Sequence, residues 1–136
     1  VYPDGNIDMV KEQALVEAHD ILIFQFPLYW YSSPPLLKKW QDTVLTYGWA
    51  YGSKSKGMRN RGVALGVSVG VPEDDYRKEG KNRVTLEEVL SPFRTMTRYV
   101  NADFRGYFGF YDAESLPEMR IIDQGSKDYV EFLKSI

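Results

Sequence analysis

"FQFPLYWYSSPPLLKKW", residues 24–40, opens as a buried strand and closes as an amphipathic helix. Tyr29, Trp30 and Tyr31 stand between the two, followed by two serines and two prolines, where they cannot all be core. The strand begins upstream. "ILIFQF", 21–26, is nearly all apolar, the pattern of a strand covered on both faces in a parallel sheet. The helix begins near Ser33-Pro34-Pro35, prolines that suit a first helical turn. Leu36, Leu37, Trp40, Val44 and Leu45 then repeat at helical spacing, with Lys38, Lys39, Gln41 and Asp42 on the wet side.

Outward from this unit the alternation continues. Asp8 can cap a helix running to about Ala18, with Val10, Ala14, Leu15 and Ala18 on one face. "VYPDGNID" before it reads as the exit from a preceding element. On the other side, 46–62 is a long polar loop and "VALGVSV", 63–69, is a second buried strand. A second long loop, 70–83, precedes "TLEE", where Thr85 and Glu88 form a capping box that opens a helix to about Tyr99. "DFRGYFGF", 103–110, is a third strand. "SKDYVEFLKS" closes the chain as a helix packing Tyr129, Val130 and Leu133. Strict alternation predicts an α/β fold with a parallel sheet, one domain over 1–136. Ligands of such sheets bind at the carboxyl ends of the strands. The loops 27–33, 70–83 and 111–117 all leave strands at that end, so the aromatics sit where a ligand belongs.

Composition narrows the chemistry. The net charge of -2 argues against an electrostatic grip on nucleic acid. There is no cysteine, which excludes disulfides, thiolate catalysis and Cys-zinc sites. The single histidine, His19, leaves no histidine metal cluster and reads as a structural group at a helix end. Glu73, Asp74 and Asp75 carry no metal-ligand spacing, so no metal is expected. Ser32 and Ser33 lack a G-x-S-x-G elbow, and His19 lies at the far end of the strand, so a hydrolase is rejected. No apolar run reaches transmembrane length and no signal peptide is visible, which makes the cytoplasm the expected location.

The run "FQFPLYWYSSPPLLKKWQDTVLTYGWAYG" resembles the flavodoxin-like NAD(P)H:quinone oxidoreductases, including modulator-of-drug-activity proteins and the ancillary subunits of glutathione-gated potassium efflux systems. The shared pattern is F-P-L-x-W-[FY], a Pro, L-K-x-W, then Gly-aromatic-Ala-Tyr. It continues through "VPEDDYRKEGKNRVTLEEVLSPF". The resemblance covers essentially the whole chain but only the carboxyl-terminal part of such a protein. It implies a three-layer sandwich with sheet order 2-1-3-4-5, of which the first two strands, the phosphate-binding loop and the first helix have no counterpart here. The chain is therefore expected to be a fragment or to lack a beginning, with 21–26 left as a bare apolar edge.

What the resemblance implies for function follows residue by residue. Pro27, Leu28, Tyr29, Trp30 and Tyr31 would wrap a flavin ring, FMN or FAD. Ser68, Val69, Gly70 and Val71 would lie against its pyrimidine side. Tyr76 would help bind quinone or nicotinamide and act catalytically by supporting proton or charge movement during hydride transfer, and Tyr51 would reach the substrate pocket of a neighbouring subunit in a homodimer. The implied activity is two-step hydride exchange, from NAD(P)H to flavin and on to a quinone or nitroaromatic. Two departures stand out. Gly70 is followed by Val71 where the family often has a second Gly, and a Cβ there restricts close backbone approach. Asn82 occupies a position where some members carry a catalytic His. Asn can hydrogen-bond but cannot share a proton near neutral pH.

Plainer readings stand beside these. Trp30 and Tyr31 can serve as an interface patch, and in this family both roles are compatible. Trp40 reads as helix packing. Lys54, Lys56, Arg59 and Arg61 read as a solvated basic loop, with attraction of an NADPH phosphate as the weaker alternative. The rival functions are a regulatory ancillary subunit of a potassium-efflux system and a non-catalytic remnant of the fold.

Overall fold

Val63, Ala64 and Leu65 are completely buried, which places β2 (Gly62–Ser68) at the centre of the sheet. In the computed structural model, which describes residues 2–115 and 117–136, β2 is flanked by β1 (Ile21–Pro27) and β3 (Asp103–Phe110). All three strands are parallel, in the order β1-β2-β3. Val1 and Leu116, which fall in stretches read as loop, lie outside the described residues.

The register sorts the side chains into two layers. Phe24, Leu65 and Tyr107 are level across the sheet, as are Phe26, Val67 and Gly109. This face meets α2 (Pro35–Val44), α3 (Leu86–Val89) and α4 (Ser91–Tyr99). Phe24 packs edge-on against Trp40 at 5.3 Å, and Phe26 stacks on Phe93 at 5.0 Å. The other face meets α5 (Met119–Ser135) through small residues. A Cβ on Gly66 would come 2.5 Å from the Tyr129 hydroxyl, so Gly66 gives Tyr129 its seat. A Cβ on Gly125 would come 2.4 Å from the Phe110 ring, so that glycine lets α5 approach β3.

α1 (Met9–Glu17) is capped as expected, Asp8 Oδ1 accepting from the Lys11 N–H at 3.0 Å. Its buried face is not the one the spacing predicts. Val16 is buried, while Val10 is 69% exposed and Leu15 also faces solvent. Glu12 fixes the helix instead, accepting from Trp40 Nε1 and the Tyr2 hydroxyl, both at 2.7 Å. Polar anchoring of this kind has no hydrophobic period. On α2, Leu36 is likewise exposed although its neighbours pack.

Two further boundaries differ from expectation. The helix predicted from Thr85 to Tyr99 is two helices with a break at Leu90. Pro92 has no N–H to give the Glu88 carbonyl four residues back, so the first segment ends and the second starts with the proline in its first turn. α5 is longer than predicted because Gly125 weakens its first half as a helix signal. Of its predicted inward residues, Tyr129 packs on Phe108 of β3 at 5.2 Å and Leu133 is half-buried, but Val130 is exposed.

The Thr85 capping box is formed, with Glu88 N–H on Thr85 Oγ1 and Thr85 N–H on Glu88 Oε2. Thr85→Ala is expected to cost about 1 kcal/mol of stability. Urea unfolding reads this directly, and an unchanged midpoint would show that the box carries no net free energy. Among the described residues no helix is long and apolar enough to cross a membrane.

Candidate functional site

Residues 29–32 fold into a tight hairpin. The N–H of Tyr29 donates to the Ser32 carbonyl and that of Ser32 to the Tyr29 carbonyl, both at 2.9 Å. The two residues between them have positive φ, 48° at Trp30 and 60° at Tyr31. This is the mirror-image two-residue turn that Asn-Gly ordinarily occupies. Bulky aromatic residues are held there against their own preference, and Trp30 is 93% exposed. Strain retained at an exposed aromatic points to a role in binding.

The second loop carries Tyr76 and Asn82. Tyr76 ends a short 3₁₀ turn, Glu73–Tyr76, and is 8% exposed. The loop then doubles back, with Asn82 N–H on the Asp75 carbonyl at 3.0 Å. Gly80 makes this possible, since a Cβ there would sit 2.2 Å from the Asp74 carbonyl oxygen. The fold-back delivers Asn82 to the first loop, where its Oδ1 accepts from the Tyr31 hydroxyl at 3.2 Å. The Tyr31 and Tyr76 rings lie 6.5 Å apart. Tyr31, Tyr76 and Asn82, distant in sequence, thus share one place.

The third loop adds a residue that sequence reasoning missed. Tyr111 follows β3 immediately, and its ring is 6.5 Å from that of Tyr76. Each carboxyl-end loop therefore supplies one tyrosine. The signal was present, since Tyr111 opens the third loop at the ligand end of the sheet. Burial raises the pKa of Tyr76 and Tyr107 and pushes Tyr111 up to about 12. Neighbouring Tyr107, Glu73 and Tyr76 add to the effect on Tyr111.

These shifts give a signed prediction. Below the ordinary tyrosine value of 10.0 the hydroxyls are neutral both folded and unfolded, and the contribution is intact. Above it the unfolded chain releases protons that the folded chain still holds, so stability falls with rising pH until about 12. Urea midpoints from pH 8 to 12 should fall only in the upper half of that range, less steeply in Tyr111→Phe. A flat profile would contradict the buried environment.

The remaining expected residues fall around this centre. Leu28 N–H bonds the Ser68 carbonyl and Val69 N–H the Phe110 carbonyl, both at 2.8 Å, which ties the three strand ends together. The N–H groups of Trp30, Tyr31, Gly70 and Val71 have no acceptor among the described residues. Val71 does not have positive φ, and its side chain packs against the core. The space a Cβ on Gly70 would occupy is taken by the Glu114 carboxylate, 2.6 Å away. Pro27 and Ser68 form one rim of a separate cleft of about 300 Å³ between the sheet and α5.

Tyr51 is not brought to Tyr31 and Tyr76. It sits between Tyr47, met edge-on at 5.7 Å, and Tyr99, tilted at 5.6 Å, in a groove of about 500 Å³ between α2 and α4 whose other lining includes Ser32 and Ser33. The basic run also divides. Lys54, Lys56 and Arg59 are exposed, but Arg61 is structural, its guanidinium bonding the carbonyls of Gly57, His19 and Glu17. His19 Nδ1 lies 2.7 Å from the Leu15 carbonyl, a helix-end contact.

Residues 1–133 match the flavodoxin-like fold family, and the chain belongs to it. It is 47% identical over 110 residues to general stress protein 14 of Bacillus subtilis, taking in 81% of this chain and 63% of that protein. It is 38% identical to the NAD(P)H oxidoreductase YrkL of the same organism, over 98% of this chain and 76% of the relative. To the glutathione-regulated potassium-efflux ancillary protein KefG of Cronobacter sakazakii it is 46% identical, over 68% of this chain and half of the relative. Among solved structures, general stress protein 14 of Treponema denticola in complex with FMN superposes with a TM-score of 0.92 at 47% identity, over 98% of this chain and 76% of that one. A chain named as a thermophilic tryptophan halogenase, from Streptomycin violaceusniger, does so at 0.93 and 43%, over 97% and 76%. An NADPH-quinone reductase from P. pentosaceus gives 0.83 and 26%, over 94% and 73%.

Proposed function

We propose that this chain is the substrate-facing part of an FMN-dependent NAD(P)H oxidoreductase that reduces quinones or nitroaromatics. The observation that carries the reading is the Trp30-Tyr31 turn. It holds a solvent-facing indole in a strained conformation, at the same end of the sheet as a buried tyrosine and four backbone N–H groups that have no acceptor among the described residues. Flat aromatic surface plus backbone donors suits a planar ring system edged with carbonyls and ring nitrogens. Similarity to an FMN-bound protein and to a relative named as an NAD(P)H oxidoreductase supports the same reading.

In this reading Leu28, Tyr29, Trp30 and Tyr31 wall the flavin, and the backbone of 68–71 meets its polar edge. FMN, when bound, supplies the hydride chemistry, and the protein contributes position and exclusion of water. The Tyr76 hydroxyl donates a hydrogen bond to the acceptor's carbonyl oxygen. Asn82 takes no proton. It accepts from Tyr31 and holds that ring in place. The exposed Tyr47 and Tyr99 beside Tyr51 suit the docking of a second copy, which would give the homodimer its interface and Tyr51 its reach toward the partner's site. The cytoplasm, where NAD(P)H is at hand, is the corresponding location.

The test is a visible absorption spectrum of the purified protein after addition of FMN. Flavin bands that bleach with NADH or NADPH and return on adding a quinone are expected. A protein that takes up no flavin would overturn the reading. The similarity to KefG favours a second reading, a regulatory subunit of a potassium-efflux protein. Flavin binding without turnover, together with capture of such a membrane partner, would select it.

A further inference from the structure

We propose that Tyr111 is a positioning residue for Tyr76, an inference that rests on the acceptor-site reading above. Its seat is built for a ring. The Tyr111 ring lies over Gly109, where a Cβ would come within 3.0 Å of Cε2 and 3.1 Å of Cζ. The same Cβ would come 3.1 Å from Leu86 Cδ2, so strand, helix and ring meet closely at that point. Leu86 is itself buried on α3.

The backbone below the ring is equally fixed. Asp112 N–H donates to the Val71 carbonyl at 3.0 Å, Ala113 N–H to Val69 at 2.9 Å and Glu114 N–H to Gly70 at 3.2 Å. Three successive bonds lock the third loop onto the first residues of the second. Tyr76 is buried at the edge of the core on its own fold-back loop. Its hydroxyl forms no side-chain hydrogen bond among the described residues, and the rings of Tyr31 and Tyr111, each 6.5 Å away, are its aromatic neighbours. Tyr31 sits on a strained exposed turn, so Tyr111 is the fixed wall of the pair. Removing a fixed wall lets the Tyr76 ring shift, and its hydroxyl then meets the acceptor less well in ground and transition state alike.

The experiment uses the full chain with ring-labelled tyrosine, in the wild type, Tyr111→Ala, Tyr111→Phe and Gly109→Ala. The first readout is the titration of the Tyr76 Cζ resonance, which needs no flavin. Burial holds Tyr76 above the usual tyrosine range, with Tyr31 and Asp75 as the charged or titratable neighbours acting on it. Tyr107 and Glu73 act on Tyr111 from β3 and the second loop. Tyr111→Ala should bring the Tyr76 titration down toward the value of an exposed tyrosine. Tyr111→Phe should leave it high. Gly109→Ala, which nudges the ring without deleting it, should move the titration in the same direction by less.

The second readout is the split between kcat and KM. Acceptor KM should rise about tenfold in Tyr111→Ala with kcat and FMN affinity little changed, as expected when binding common to ground and transition states is lost. Tyr111→Phe should restore it. A Tyr76 titration unmoved in Tyr111→Ala would overturn the proposal, as would Tyr111→Phe behaving like Tyr111→Ala. Absence of turnover in every form, wild type included, would overturn the oxidoreductase reading. The titration would still decide the role of Tyr111.

Discussion

Replacing Trp30-Tyr31 by Asn-Gly should make the protein more stable and nearly abolish its binding of FMN. Both residues occupy the left-handed region, which costs a side chain with a Cβ roughly 1–2 kcal/mol each. Asn-Gly is the sequence this turn prefers, and the reciprocal Tyr29–Ser32 hydrogen bonds would remain. Unfolding free energy in urea should therefore rise by about 1–3 kcal/mol, within the range seen when a strained site is relieved. FMN binding should fall together with the aromatic surface. Stacking of a planar ring on an aromatic side chain is worth about 1–3 kcal/mol, so losing two walls should weaken affinity by about a hundredfold or more. The opposite signs make the test sharp. Loss of stability in the variant would mean the turn is not strained. Unchanged flavin affinity would mean the aromatics serve something else.

That turn also shows how far the sequence could be read. Three aromatics between a strand and a helix were legible as a site because the alternating elements put them at the carboxyl end of a parallel sheet. Their left-handed backbone was not legible, because propensity assigns such φ values to Gly and Asn. The parallel order of the strands followed from apolar runs at 21–26 and 63–69, and β1 and β2 lie there within a residue. The buried face of α1 did not follow. It is fixed by Glu12 hydrogen bonds to Trp40 and Tyr2, and a polar clamp leaves no hydrophobic period to detect. The site shows the same division. Tyr31, Tyr76 and Asn82 are brought together, and Tyr51, which the resemblance assigns to a neighbouring subunit's pocket, lies apart from them between Tyr47 and Tyr99. Tyr111 and the Glu114 carboxylate over Gly70 depend on how two loops lace together, and pairing between loops has no local signature.

Gly80→Ala should cost the site more than the fold. Gly80 has ordinary φ, so the issue is room and not backbone freedom. An added Cβ would sit 2.2 Å from the Asp74 carbonyl oxygen and 2.9 Å from that of Asp75. Both are backbone atoms, which cannot swing aside as a side-chain tip can. The fold-back must open, at a cost of about 1–3 kcal/mol, typical of overpacking. The loop lies outside the sheet, so it can yield without unravelling β2. Its opening breaks the Asn82–Asp75 backbone bond and withdraws Asn82 from Tyr31. It also frees Tyr76, whose 3₁₀ turn contains both clashing carbonyls. With Tyr76 and Tyr31 both out of register, kcat/KM for a quinone should fall about a hundredfold. Asn82→Ala deletes one side chain and leaves the fold-back intact, so it should lose far less. Hydrogen exchange at the Asn82 amide reports the loop independently of activity. Fast exchange together with low kcat/KM is the expected pair. A protected amide with full activity would mean that the loop accommodates the methyl group, and that the closeness of residues 74 and 80 is not what brings the tyrosines into one site.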